Sequence, residues 1–387
     1  MTFKKIILFF HRWLGIISGL VVFIVSITGC IFCFQDEIQD AIHPWRKVAI
    51  EQKAYQEPSV LKAIALNKYP GATAEYMYYF GKDRPAGVLA NIPGKELSYI
   101  YLNPYNGQVL HTEALKQNFF TVVQYIHLYL LLPEKAGQLV VGISVLIFIV
   151  LMITGVILWW PKRKSDRKRS FTIKWNGKWK RVNYDLHNVL GFYSLSIAII
   201  LAITGLSMTF EWVNRGIYNT ANLGKSYPKE QAHLQSDSLK KSLAGKAAID
   251  RAFLCAMSAS PAAEMFLIAD PTDKKGTLNI TAYAKSLHYG NNDQYTFNKY
   301  TGDLLQALPN NQKSTGMKLD NLNYDIHVGQ ALGLTGKIIA FLGSLICASL
   351  PVTGLIIWLG KKKKRKPSQA RSALHKRTQH KLAYRGG

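Results

Sequence analysis

The sequence predicts an α-helical membrane protein: four transmembrane helices in two repeats, with two small α+β domains on one side of the bilayer. Three observations carry this. Four stretches of the 387-residue chain, 13–35, 136–161, 186–210 and 338–360, lack Asp, Glu, Lys and Arg and run for 23, 26, 25 and 23 residues. A hydrocarbon core about 30 Å thick takes roughly 20 apolar residues of helix to cross. The net charge of +25 is sorted by position, with the short polar segments strongly basic and the long ones close to balanced. Finally, the second half of the chain repeats the first.

The elements follow in order. Residues 1–35 form a first transmembrane helix with a basic start at Lys4, Lys5 and Arg12, and 36–126 a first outer domain. A second helix, 127–161, leads into the loop 162–185, whose first twenty residues hold ten Lys/Arg and one acid, Asp166. The third helix is 186–210, the second outer domain 211–326 and the fourth helix 327–360; the tail 361–387 has eleven Lys/Arg and no acid. Short basic loops stay in the cytoplasm. Both termini and the loop 162–185 are therefore expected inside, and the two long segments outside, in the periplasm of a Gram-negative bacterium. That makes the chain a multi-pass protein of the inner membrane. Topology and attraction to anionic lipid account for the charge, so no nucleic-acid partner is expected.

Four cysteines give no disulfide framework. Cys30-Ile-Phe-Cys33 has C-x-x-C spacing, but it lies in an apolar helix with no βαβ unit around it. It reads as small side chains in helix packing. Ile27-Thr28-Gly29-Cys30 resembles a lipoprotein cleavage box, yet Thr-Gly recurs in the other three helices, where cleavage has no part.

The repeat is specific. His11-Arg-Trp-Leu-Gly15 leads to Thr28-Gly29, and His187-Asn-Val-Leu-Gly191 leads to Thr204-Gly205, each with seventeen residues from His to Thr. Gln124-Tyr-Ile-His127 leads to Thr154-Gly155, and Tyr324-Asp-Ile-His327 to Thr353-Gly354, at spacings of 27 and 26. Outside the bilayer, 99–110 parallels 294–305, each reading as strand, turn and strand around Gly107 or Gly302.

Of ten histidines, His43, His111, His233, His288, His375 and His380 lack ligand-like spacing. The other four are related by the repeat. His11 and His187 open helices running outward and share the cytoplasmic level; His127 and His327 precede helices running inward and share the outer level. Ionisable groups at membrane depth usually face the bundle interior or mark a function. Two facing imidazoles can ligate one haem iron axially. The alternatives are interfacial helix caps and a proton pathway. His127 and His327 lie nine and eleven residues before their uncharged windows, on extended helices or on interfacial turns. Glycines such as Gly15, Gly19, Gly191 and Gly205 would let a flat ring or a neighbouring helix come close. No C-x-x-C-H is present for covalent haem, and no G-x-G-x-x-G follows a strand.

His11-Arg-Trp-Leu-Gly15, Asp185-Leu-His187, Asp325-Ile-His327, the four Thr-Gly pairs and the two Tyr-x-x-x-x-Gly turns together resemble the PepSY-associated transmembrane family, from about Lys4 to Lys364. Where the PepSY pattern has Asp-Pro at the turn, this chain has Asn103-Pro104 and Asn298-Lys299. The resemblance implies PepSY-like outer domains. It also implies two b-type haems, as in bacterial siderophore-iron reductases: one between His11 and His187, one between His127 and His327. The activity so implied is a ferric-siderophore reductase. Electrons would pass from a quinol or cytosolic reductant to an outer acceptor, and Fe(II) would leave its hard oxygen ligands more readily. Two other readings stand beside it: a di-haem electron-transfer subunit for a separate redox partner, and a non-enzymatic PepSY protein that restrains a peptidase or serves a transporter or sensor. Tyr76, Tyr78, Tyr79, Arg84, Tyr125 and Tyr129 are candidates to face a bulky ligand, against a plain role as interfacial anchors.

Overall fold

Long apolar helices alternate along the chain with one mixed α/β layer, and the computed structural model describes residues 2–161, 163–239 and 245–362. The head of the basic loop at 162 and the basic tail beyond 362 lie outside the described residues. In chain order the helices are α1 (Phe3–Phe32), α2 (Gln35–Ile42), α3 (Pro58–Leu66), α4 (Phe119–Tyr129), α5 (Glu134–Trp159), α6 (Arg167–Phe171), α7 (Trp179–Tyr193), α8 (Leu195–Thr209), α9 (Glu211–Ala221), α10 (Ala248–Ala259), α11 (Thr315–His327) and α12 (Gly333–Lys362). Strands β1 (Thr73–Tyr79), β2 (Ala86–Asn91), β3 (Ser98–Leu102) and β4 (Val109–Ala114) precede α4, and β5 (Met265–Ala269), β6 (Leu278–Tyr283), β7 (Asn292–Phe297) and β8 (Leu304–Leu308) precede α11.

Among the described residues the contacts divide into a helical unit (2–27, 132–202 and 342–362) and a sheet unit (28–131 and 203–341). Three helical segments are long and apolar enough to cross a membrane: Phe3–Phe32, Glu134–Trp159 and Gln330–Gly360. The expected third helix, 186–210, is not one rod. Its window falls on α7 and α8, which meet the test only together and bend by 62° at the break. Ser194 sits there, its N–H reaching back to the Leu190 carbonyl.

Within the helical unit small residues set the helix spacing. A Cβ on Gly19 would lie 3.3 Å from Pro351 Cβ, one on Gly191 3.4 Å from a Leu350 methyl, and one on Gly343 only 2.5 Å from Ile197. Helices in lipid gain mainly from such close approach. Met152, Ala198, Ala202 and Cys347 make a small buried cluster there.

The two outer segments do not form two separate domains, as the sequence suggested. They share one antiparallel sheet, in the order β4-β3-β2-β1-β5-β6-β7-β8. Each repeat builds a meander whose first strand is left with an open edge, a template for further pairing. The edges close on each other, with Tyr76 opposite Ala269 and Tyr79 opposite Phe266. Side chains alternate along each strand: Ile100 and Leu102 of β3 are buried and Tyr99 and Tyr101 partly so. The buried set packs against Leu61 and Ala65 of α3 and Ala252, Phe253 and Ala256 of α10, and one core serves both repeats. Asp250 of α10 locks the seam by accepting from Ser59 N (2.8 Å) and Ser59 Oγ (2.5 Å) in the first turn of α3.

Asparagine makes both repeat turns. Asn103 Oδ1 accepts from Tyr105 N (2.8 Å) and Asn298 Oδ1 from Tyr300 N (2.9 Å), each ahead of a glycine in left-handed conformation, Gly107 at φ 76° and Gly302 at φ 72°. A side-chain oxygen two residues back is all that such a turn requires, so the amide serves where the family pattern has Asp.

His127 and His327 stand apart from the spans they were expected to open. They lie at the C-terminal ends of α4 and α11, both separate from α5 and α12. After α4 the chain turns through Leu130 and Leu131, at φ 54° and 59°, and after α11 through Gly329 at φ 84°.

Candidate metal-ligating site

Each of the four repeat-related histidines meets one of the four Thr-Gly pairs, an arrangement that spacing alone did not disclose. In the helical unit, His11 Nδ1 lies 2.8 Å from Thr154 Oγ1, and His187 Nδ1 lies 2.9 Å from Thr353 Oγ1. In the sheet unit, Thr28 Oγ1 lies 3.1 Å from His127 Nδ1, and Thr204 Oγ1 lies 2.8 Å from His327 Nδ1. Each repeat is thus closed on itself: the histidine of one helix reaches the threonine of the next, and the reverse.

The proton positions follow from valence. Thr154 Oγ1 donates its single proton to the carbonyls of Val150 (2.9 Å) and Leu151 (3.1 Å), and Thr353 Oγ1 to those of Ser349 (2.9 Å) and Leu350 (3.1 Å). A hydroxyl already donating can only accept from the ring. His11 and His187 therefore carry their proton on Nδ1, which leaves the Nε2 lone pair bare. A hydrogen bond at one ring nitrogen that fixes the tautomer and frees the other is how metal-ligating imidazoles are prepared.

The glycine after three of the threonines makes room for the ring. A Cβ on Gly155 would come within 3.5 Å of His11 Cε1, one on Gly205 within 3.2 Å of His327 Cε1, and one on Gly354 within 3.2 Å of His187 Cε1. Gly15, one of the glycines considered for ring approach, meets only Leu151 methyls at 3.9 Å or more.

The rings come together as pairs within the two units. His127 and His327 face each other with ring centroids 6.1 Å apart and planes inclined by 70°. Two imidazoles each about 2 Å from one metal have centroids roughly 6 Å apart, so the spacing fits a metal held between them. His11 lies within electrostatic reach of His187. Among the described residues no group of three or more His, Cys, Asp or Glu could hold a metal ion. A bare ion would find two ligands here, fewer than the four of an ordinary protein site. An iron porphyrin brings its own four equatorial nitrogens and asks the protein for two axial imidazoles. The donor set fits that group.

The second repeat adds supports that the first lacks. Asn183 Nδ2 donates to the Thr353 carbonyl (3.1 Å) and Asn323 Nδ2 to the Thr204 carbonyl (3.1 Å). Asp185, fully buried, accepts from Arg181 Nε (2.6 Å) and Lys174 N (3.3 Å). Asp325, also buried, accepts from Tyr289 N (3.0 Å), Gly290 N (2.8 Å) and Gln330 Nε2 (2.7 Å). The sequence held the signal: Asn183-Tyr-Asp-Leu-His187 and Asn323-Tyr-Asp-Ile-His327 are one motif used twice.

A cleft of about 160 Å³ opens in the sheet unit, lined by Trp45, Arg46, Arg84, Tyr101, Thr121 and Tyr289 among others. It touches α4 directly and is linked to α11 through Tyr289. Thr121 stands on α4 six residues before His127, about 9 Å along the axis. Tyr289 packs edge-on against Tyr324, ring centroids 5.3 Å apart, and Tyr324 lies three residues before His327. Both cleft arginines are engaged: Arg84 Nη2 holds Asp40 at 2.6 Å, and Arg46 holds Asp40 at 2.7 Å and Asp36 at 3.1 Å.

The tyrosines proposed as ligand contacts separate. Tyr79 is wholly buried in the core with its hydroxyl donating to the Gln56 carbonyl, which removes it from any binding face. Tyr78 stacks flat on Phe80 at 5.0 Å, and Tyr125 and Tyr129 pack on each other at 6.1 Å. Tyr76 is exposed. Among those six, Arg84 lines the cleft. His111 stacks on Trp45 at 4.5 Å and His288 Nδ1 lies 3.0 Å from the Ser286 carbonyl.

Several apolar helices of spanning length define a multi-pass membrane protein. The model of the PepSY-associated TM region matches residues 9–361, nearly the whole chain, and the protein belongs to that family. No curated protein matches it.

Proposed function

We propose that the protein is a di-haem oxidoreductase of a bacterial inner membrane that carries electrons outward to a periplasmic acceptor, with a ferric siderophore as that acceptor. In this reading α1, α5, the bent α7–α8 pair and α12 are four spans, both termini are cytoplasmic, and the sheet unit is periplasmic. The observation that carries the proposal is the fourfold His–Thr contact on rings that come together as pairs. His11 and His187 would hold the inner haem, and His127 and His327 the outer one. Bound haem supplies one-electron chemistry between ferric and ferrous iron.

The chain's own residues do the rest. The threonines hold each ring in one tautomer, and the glycines beside them admit it. The cleft is our candidate for the acceptor, because it is lined by the helix of His127, is linked through Tyr289 to the helix of His327, and offers aromatic faces to a bulky ligand. Its arginines are held by Asp36 and Asp40, so it carries no free pair of cations to compete for the iron's oxygen ligands. The electron donor would be a quinol or a cytosolic reductase.

A reduced-minus-oxidised spectrum with a haem-to-protein ratio tests the proposal. Two b-type haems per chain are expected, and purified protein without a Soret band would sink it. Mixing dithionite-reduced protein with a panel of ferric siderophores should reoxidise the haems rapidly. Reoxidation by a dedicated protein partner alone would make the chain an electron-transfer subunit.

A further inference from the structure

We propose that Asn183 and Asn323 are positioning residues for His187 and His327, each acting through the threonine that its histidine contacts. The inference rests on the reading of these histidines as ligands and adds to it the groups that set their geometry.

Asn183 and His187 lie four residues apart on α7, and Asn323 and His327 four apart on α11. Residues four apart sit on one face of a helix. Both side chains of each pair reach the same residue of the facing helix, the ring to the Thr hydroxyl and the amide to the carbonyl of that same Thr. A carbonyl oxygen has two lone pairs, so it can take the amide as well as its place in its own helix. Two bonds to one residue fix rotation as well as distance, which one bond does not. Asn183 and Asn323 are 1% and 9% exposed, and a buried amide must find a partner. The carbonyl it finds belongs to the ligand-orienting threonine.

In the first repeat the equivalent positions, four residues before His11 and His127, are Ile7 and Val123. Neither can donate. Each pair therefore joins one ring backed by an asparagine four residues earlier and one that has no such donor behind it.

The experiment uses full-length protein in lipid nanodiscs, reduced with dithionite and labelled with ¹⁵N-histidine, with redox titration of the haem bands alongside. In wild type, His187 and His327 should show a protonated Nδ1 and an unprotonated Nε2. Asn323→Ala should disturb the His327 signal, shift the outer midpoint potential and weaken haem retention at that level by roughly tenfold, as outer-sphere substitutions do. Asn183→Ala should do the same for His187 and the inner haem. Asn188→Ala is the control, because Asn188 is only half-buried and donates to the Tyr184 carbonyl of its own helix; it should change nothing. If an alanine variant fails to fold, Asn→Leu, with the same branching and no donor, carries the same test.

Variants that melt earlier but keep wild-type ¹⁵N signals and potentials would overturn the proposal and leave the asparagines as helix packing. Wild-type protein without haem would defeat the proposed function instead. The ¹⁵N signals then decide alone: a shifted His327 in Asn323→Ala supports positioning, and an unshifted one refutes it.

Discussion

The two repeats each make the same two His–Thr contacts on different supports, and the contrast separates what the candidate site shares from what surrounds it. In both, a histidine meets the threonine of a Thr-Gly pair on the facing helix. The first repeat does this with an unbroken α1 and with apolar Ile7 and Val123 behind the rings. The second does it with a bent α7–α8 pair, two asparagines on the threonine carbonyls, and the buried carboxylates of Asp185 and Asp325 tying down neighbouring loops. The contact present in all four places is the one between ring Nδ1 and threonine hydroxyl. The asparagine support is present in the second repeat alone, at Asn183 and Asn323.

The largest effects come from removing the rings. His127→Ala and His327→Ala should each abolish the outer haem and leave the inner one spectroscopically intact, with the converse for His11→Ala and His187→Ala. Four single variants that all retain two haems would end the pairing. Next come the glycines that admit the rings. Gly205→Ala and Gly354→Ala place a methyl about 3.2 Å from an imidazole carbon and should lower stability by about 1–3 kcal/mol, the usual range for overpacking. Gly15→Ala meets nothing closer than 3.9 Å, and its melting temperature should match wild type.

Asp325→Leu distinguishes the repeats by their supports. It strands the N–H groups of Tyr289 and Gly290, and a buried donor left without a partner costs about 1–3 kcal/mol. The first-repeat counterpart, Tyr125, has no such role, and Tyr125→Leu should cost less in the same chemical-unfolding assay. The Tyr289 side of the cleft should loosen with Asp325→Leu, visible as faster amide exchange at Tyr289 and Gly290.

The smallest effect concerns acid stability of the first-repeat outer segment. Burial alone would push the Asp40 carboxyl up, but hydrogen bonds and charge from Arg84 and Arg46 outweigh it and hold the folded value below 3.8. Its contribution is present above the unfolded value and is lost as pH falls through the folded one. Asp36 runs the other way: burial lifts its pKa despite Arg46, Lys337 and Arg84, so its share favours low pH and fades as pH rises through 3.8 and beyond. Asp40→Asn should shift the acid unfolding midpoint upward or flatten that limb, and Asp36→Asn should remove the opposing trend. Identical acid limbs in wild type and both variants would show that this network has no net linkage.

Much of this was legible in the residue order. Four charge-free windows announced the membrane helices, and Thr28, Thr154, Thr204 and Thr353, each followed by Gly, stood out at repeat spacing beside the four histidines. The same pattern misplaced other features. Leu186 to Phe210 reads as one uncharged helix because hydropathy records composition, and a 62° bend at a serine leaves composition unchanged. Tyr79 looked like a ligand contact because strand alternation tells which residues share a face, but not which face the helices α3 and α10 will cover. The two outer segments looked like separate domains because pairing between β1 and β5 is made by backbone groups, which every sequence carries alike.

The sequence by itself determined the class of protein, the duplication and the four imidazoles, since each of these is written in residue type and spacing. Which threonine each ring would meet, which nitrogen would keep the proton, and whether His127 and His327 would face one another were decided only in the folded chain. Those outcomes depend on side chains 99 to 166 residues apart converging to hydrogen-bonding distance, and one-dimensional order has no measure of that.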